Sequence, residues 1–165
     1  MPEAVIVATA RSPIGRAFKG SLVSLRPDDM AAQMVRAVLD KVPELDRSDV
    51  EDLLLGNAQP AGEGGYNMAR VVALLADLPH VPGATVNRYC SSSLQTIRMA
   101  AHAIRAGEGD VFVAAGVEAV SRFGQGMADG MPDTQNPRFR EATERSAARA
   151  AGGQEPWKPA EGLPD

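Results

Sequence analysis

Residues 84–115 read ATVNRYCSSSLQTIRMAAHAIRAGEGDVFVAA, and the fold is decided in this stretch. Ala84-Thr85-Val86 is short, apolar and β-branched, the pattern of a strand. Ser91 to Ala106 follows as a long helix that Gly107 stops, and Val111-Phe112-Val113-Ala114-Ala115 is a second apolar run of strand length. Two such strands joined by a helix form a βαβ unit, which requires parallel pairing and a sheet covered on both faces.

The same alternation extends toward the N-terminus. Leu53-Leu54-Leu55, stopped by Gly56, predicts another buried strand, and Ala4-Val5-Ile6-Val7-Ala8-Thr9 predicts a first one. Pro27-Asp28-Asp29 reads as a helix start, because a short carboxylate accepts orphan N–H groups of the first turn. Ala31, Met34, Val35, Val38 and Leu39 continue it at helical spacing. Met68, Val71, Val72 and Leu75 mark a helix between a Gly-rich loop at 61–65 and the prolines at 79 and 82. Strands alternating with helices predict an α/β fold with a mainly parallel sheet. After Arg122 the texture changes to Gly, Met, Asp, Pro and charge, with one helix candidate from Pro137 to Ala151 and a proline-rich, aperiodic end from Gln154 to Asp165.

The chain has 165 residues, 44% hydrophobic and 23% charged, with a net charge of -4. That is the composition of a soluble domain with a sizeable core. No basic stripe supports nucleic-acid binding. The apolar run at 4–9 is too short and wrongly flanked for a signal peptide or a membrane span, so a cytoplasmic protein is expected. No cluster of metal-ligand residues is present, and none of the glycine loops carries the Lys-Ser/Thr of a phosphate loop.

Cysteine occurs once, so no internal disulfide forms. Cys90 falls where the strand at 84–86 hands over to the helix. A sulfur there lies near the positive end of a helix and its unpaired N–H groups, which stabilise a thiolate and can hold a developing oxyanion. Open parallel sheets also bind ligands beyond the C-terminal ends of their strands. By spacing alone, Cys90 reads equally as a nucleophile and as a buried structural thiol. The helix after it is rich in small residues, and Arg98 and Arg105 are its formal charges; such a helix is usually covered on several sides.

Val86-Asn87-Arg88-Tyr89-Cys90-Ser91-Ser92-Ser93-Leu94-Gln95 resembles the nucleophile motif of the thiolases, the acetyl-CoA acetyltransferases and 3-ketoacyl-CoA thiolases. Arg11-Ser12-Pro13-Ile14-Gly15 is similar to that family's Arg-Thr-Pro-Ile-Gly, and Gly64-Gly65-Tyr66-Asn67-Met68-Ala69-Arg70 to its Gly-Gln-Asn-Pro-Ala-Arg loop. Ala115-Gly116-Val117-Glu118-Ala119-Val120-Ser121-Arg122 is similar to its Gly-Gly-x-Glu-Ser-Met-Ser segment. The four motifs occur in the family's order.

The resemblance implies the N-terminal half of a thiolase-like fold over residues 1–122, with a mainly parallel mixed sheet of about five strands and covering helices. It implies the beginning of a loop domain over 123–165. It further implies a ping-pong acyltransferase that takes coenzyme A and acyl-CoA as substrates and keeps no permanent cofactor. Cys90 would be the acyl-thioester nucleophile, with its backbone N–H as one oxyanion donor. Asn67 and Arg70 would belong to a loop shaping the dimer near the active site, and Gly116, Glu118 and Ser121 would hold the architecture. A homodimer or homotetramer is implied in the same way.

Two departures stand out. Ser93 occupies a place where many thiolases carry Gly. The family's Gly-His-Pro base, its second acid/base Cys and its Asn-Glu-Ala-Phe segment also have no counterpart here. His102 lies 12 residues beyond Cys90 along the helix, roughly 18 Å away, and His80 precedes the strand, near the opposite sheet edge. Neither suits a base for Cys90 in the same subunit. The expectation is therefore that a C-terminal thiolase half, from the same gene product or a separate chain, supplies the acid-base pair. A related ketoacyl or hydroxymethylglutaryl-CoA synthase and a non-catalytic acyl-CoA-binding subunit are the alternatives. Trp157 reads as a packing anchor. Arg138, Arg140, Arg145 and Arg149, interleaved with Glu141 and Glu144, read as a solvated, salt-bridged helix.

Overall fold

The computed structural model describes residues 2–125 and 140–152. The chain divides into two compact units, Met1–Ala128 and Asp129–Asp165. The first is built on three strands: β1 (Asp52–Gly56), β2 (Gly83–Val86) and β3 (Phe112–Gly116). They lie in the order β2-β1-β3, and both pairings are parallel. Gly56, at the C-terminal end of β1, stands opposite Val86 on one side and Gly116 on the other.

Three helices cover this sheet: α1 (Pro27–Leu39), α2 (Met68–Leu75) and α3 (Ser92–Ala106). The chain steps from β1 to β2 through α2, then returns past β1 to β3 through α3. Because parallel crossovers are right-handed, reversing the direction of travel puts the two helices on opposite faces. Leu53, Leu55 and Val113 join Ala31, Val35, Met68, Val72, Leu78 and Val81 in one core cluster on the α1–α2 face. Leu53 and Leu55 are fully buried there, each contributing about 1.5–3 kcal/mol through lost apolar exposure. On the other face α3 lays a small-residue stripe, Ser92, Thr96 and Ala100, against the sheet. Its opposite side leaves Leu94 and Ile97 exposed.

The start of α1 differs in detail from the sequence reading. Pro27 takes the first helical position, where its missing N–H costs nothing. Arg26 is the N-cap and makes no side-chain cap. The Asp28 carboxylate accepts from the Asp29 N–H at 3.0 Å but turns mainly to Arg26, at 3.0 and 2.7 Å. Arg26 also pairs with Glu63 at 2.9 Å, and Glu63 with Arg122. Two carboxylates and two guanidiniums thus tie α1, the Gly-rich loop and the turn at 120–125 together.

The expected sheet of about five strands is corrected to three among the described residues. Ala4–Thr9 forms no ladder, and Val5, Ile6 and Val7 are about 70% exposed. β-propensity makes a strand only where a partner offers N–H and C=O groups. Among the described residues, nothing pairs with this segment or with the outer edges of β2 and β3. Side contacts tether the N-terminal region instead: Lys41 Nζ donates to the Thr9 carbonyl at 2.6 Å, and the Phe18 N–H donates to Ser121 Oγ at 2.9 Å.

In the second unit the described element is α4 (Arg140–Gly152). Arg145 and Glu141 pair at 3.7 Å across one turn, both largely exposed, as expected for a solvated helix. The prolines at 137 and 156, Arg138 and Trp157 lie outside the described residues.

Candidate active site

The sheet has one topological switch point, between β1 and β3, where the chain's direction of travel across the sheet reverses. In open parallel sheets ligands bind beyond the strand C-termini at such a point. Gly56 and Gly116 are its two terminal residues. A Cβ on Gly56 would lie 2.7 Å from backbone atoms of Ser92 and Ser93, and one on Gly116 would lie 1.9 Å from Ser93 Oγ. The absence of side chains at both positions lets the first turn of α3 settle directly over the switch point. Cys90 is two residues before that helix, in a 3₁₀ turn spanning Tyr89–Ser91. It is exposed, not enclosed by the residues packed around it within the described chain.

The approach to Cys90 bends sharply. Tyr89 has φ 46°, in the left-handed region that costs a bulky residue energy. Side chains occupy both of its polar backbone groups. Its N–H donates to Asn87 Oδ1 at 2.9 Å, and its carbonyl accepts from Ser92 Oγ at 2.7 Å. The same Ser92 hydroxyl accepts the Arg88 N–H at 2.8 Å, using donor and acceptor together. Arg88 Nη1 reaches Gln95 Oε1 at 2.6 Å, one turn into α3. Further along, the fully buried Thr96 donates to the carbonyls of Ser93 and Ala115 at 2.8 and 3.2 Å, fastening α3 to β3.

A second set of bonds ties the three strand ends to one another. The Asn57 N–H donates to the Val86 carbonyl and the Val117 N–H to the Gly56 carbonyl, both at 3.0 Å. Glu118 Oε2 accepts the Ala58 N–H at 2.8 Å, and Asn87 Nδ2 donates to the Ala58 carbonyl at 3.2 Å.

Asn67 and Arg70 support the strand that leads to Cys90. Asn67, at φ 54°, precedes α2; its side chain donates to the Gly83 carbonyl at 2.8 Å and accepts from Thr85 Oγ1 at 3.0 Å. Arg70 reaches the carbonyls of Val81 and Pro79 at 2.5 and 2.8 Å. Ser93 is accommodated because Gly116 has no side chain. The two histidines lie away from this cluster. His80 Nε2 is 3.1 Å from the Arg47 carbonyl, at the end of the sheet where the strands begin, and His102 is exposed toward the far end of α3. Among the described residues no His, Cys, Asp and Glu cluster suits a metal ion, and no helix is long and apolar enough to cross a membrane.

Sequence reasoning missed Gly56 and Ser92, and gave Asn87 no role of its own. Asn two residues before a turn N–H is a known turn-former, so Asn87 carried a local signal. The closeness of Gly56 to α3 depends on tertiary packing and carried none.

Comparison with known proteins identifies the family. A family model described as "Thiolase, N-terminal domain" matches residues 4–146. A 3-ketoacyl-CoA thiolase of Bacillus subtilis (strain 168) is 48% identical over 123 residues, covering 74% of this chain and 31% of its own. A 3-oxoadipyl-CoA/3-oxo-5,6-dehydrosuberyl-CoA thiolase of Escherichia coli (strain K12) is 48% identical over 123 residues, with 74% and 30% covered. A 3-ketoacyl-CoA thiolase of Serratia proteamaculans (strain 568) is 39% identical over 153 residues, with 92% and 38% covered. The chain therefore spans about a third of the length of these curated relatives. The chain belongs to the thiolase family, through that family's N-terminal domain.

Proposed function

We propose that Cys90 is the acyl-carrying nucleophile of an acyl-CoA acyltransferase acting on 3-ketoacyl-CoA thioesters. The observation that carries this is an exposed thiol two residues before α3, a helix whose first turn packs on Gly56 and Gly116 at the switch point of the sheet. In the cleaving direction the thiolate attacks the keto carbon and forms a C–S bond. The bond between the α and keto carbons then breaks, and the departing acetyl-CoA carbanion takes a proton from a general acid. The thiol of a second coenzyme A displaces the shortened acyl group and frees the sulfur. The reverse sequence condenses two acyl-CoA molecules. The Cys90 N–H serves as one oxyanion donor in both directions.

The acid-base partners come from a C-terminal thiolase half, in the same gene product or a separate chain. The placement of His80 and His102 supports this, as does the exposed apolar side of α3, which offers Leu94 and Ile97 to a covering layer. Coenzyme A enters as substrate, and no permanent cofactor is needed. A loop-domain identity for residues 123–165, a role for Asn67 and Arg70 at a dimer contact, a homodimer or homotetramer, and a cytoplasmic location belong to the same proposal, on family resemblance.

Alkylation provides the test. Iodoacetamide at neutral pH should label Cys90 stoichiometrically, acyl-CoA should protect it, and Cys90→Ser should take no label. An unreactive thiol in the folded chain would overturn the nucleophile assignment and favour a binding role. Separately, CoA-dependent cleavage of acetoacetyl-CoA should require the second half. Full activity from a single 17.4 kDa species would remove that requirement.

A further inference from the structure

The strand ends beneath Cys90 are joined by a chain of hydrogen bonds that crosses the whole sheet. It begins beyond β3 at Glu118, whose carboxylate takes the Ala58 N–H at 2.8 Å. Ala58, beyond β1, carries the connection on across its Cα, because its carbonyl, in the next peptide group, accepts Asn87 Nδ2 at 3.2 Å. Asn87, beyond β2, then receives the Tyr89 N–H at 2.9 Å through its other amide atom. Tyr89 is the left-handed residue next to the nucleophile. Glu118 and Asn87 are 60 and 29 residues from Ala58, so these are tertiary contacts and not consequences of local turn formation.

We infer that Glu118 and Asn87 are positioning residues for Cys90, acting in series through the backbone of Ala58, whose N–H and carbonyl they hold. The inference rests on the nucleophile assignment above and adds to it the means by which the sulfur's position is set from the far side of the sheet. Asn87 has the chemistry for this place. Its amide donates to Ala58 and accepts from Tyr89 at once, which an ionised Asp, an acceptor only, does not reproduce. Glu118 needs only an acceptor oxygen, which Gln also supplies.

A series connection has a signature that a general loss of stability lacks. If Glu118 acts through Asn87, the effects of removing the two are not additive. The second-order rate of Cys90 alkylation by iodoacetamide is measured on the folded chain, with melting temperature recorded for each variant. Asn87→Ala is expected to slow labelling about tenfold, near the upper worth of one hydrogen bond, and Glu118→Ala several-fold. The double variant should be no slower than Asn87→Ala alone. Glu118→Gln should restore the wild-type rate, and Asn87→Asp, which keeps the Tyr89 contact and loses Ala58, should lie between. Labelling at the wild-type rate in Glu118→Ala, additive losses in the double variant, or no rescue by Glu118→Gln would overturn the inference while leaving the nucleophile in place. If Asn87→Ala does not fold, Asn87→Asp takes its place in the cycle with the same criterion. An unreactive wild-type thiol would instead remove the nucleophile assignment, and this inference with it.

Discussion

At Gly116 and Gly56 single atoms decide how close α3 comes to the sheet, and the two positions should respond differently to the same change. A methyl group on Gly116 meets Ser93 Oγ and Cβ, which are side-chain atoms; one on Gly56 meets the backbone of Ser92 and Ser93. Gly116→Ala should therefore cost about 1–3 kcal/mol by overpacking, and Ser93→Gly should recover most of it in the double variant. Gly56→Ala should cost at least as much and gain nothing from Ser93→Gly, because backbone cannot be trimmed. Urea denaturation of the three single and two double variants checks both statements. The placement of Cys90 between strand and helix was legible in the sequence at this scale, since a strand, a thiol and a helix follow one another directly. The glycines were legible as residues and not as spacers, because their role lies in what α3 brings against them from 36 residues downstream of β1. Ser93 was read as a departure from the family pattern, and its accommodation became visible only with Gly116 beside it.

Among the elements, α2 and β2 form the support through which the chain reaches Cys90, and Arg70 fastens α2 to the loop before β2. Its guanidinium joins the carbonyls of Pro79 and Val81, which orders the loop before β2. Arg70→Ala should lower stability by about 1.5–3 kcal/mol, the range for hydrogen bonds from a charged group. Arg70→Lys should recover only part, because one ammonium does not reproduce the planar fork. Chemical denaturation followed by circular dichroism measures both. Strands and helices whose partners lie within the described residues were legible from periodicity: β1, β2 and β3, with α1, α2 and α3, fall within a residue or two of their expected places. Ala4–Thr9 has the same apolar, β-branched character and does not become a strand. Composition records the capacity to pair, while pairing itself needs a neighbour. The charge-poor side of α3 likewise showed that a cover is favoured, without showing what provides it.

For the molecule as a whole, two carboxyl groups give stability opposite dependences on pH. Burial alone would push the Asp28 carboxyl up, but the Arg26 hydrogen bonds, the Asp29 N–H and the Arg26 charge together hold it below the ordinary 3.8. Its contribution is therefore complete above pH 3.8 and is lost as pH falls through the lower folded value. Burial raises the Asp52 carboxyl above 3.8, against a smaller opposing effect from the Leu53 N–H, and its Oδ1 has no hydrogen-bond partner. Stability contributed below pH 3.8 by that group is lost as pH rises through its folded value. Asp28→Asn should lower the melting temperature at pH 7, corresponding to about 1.5–3 kcal/mol. Asp52→Asn should raise it, and both differences should shrink in thermal scans near pH 3. The unpaired segment at 4–9 has a consequence for the chain in concentrated solution. Six residues without charge or proline, three of them large apolar side chains open to solvent, are a template on which identical molecules can stack strand upon strand. Self-association into fibrous material therefore competes with the folded, dispersed state as concentration rises, unless that run is occupied.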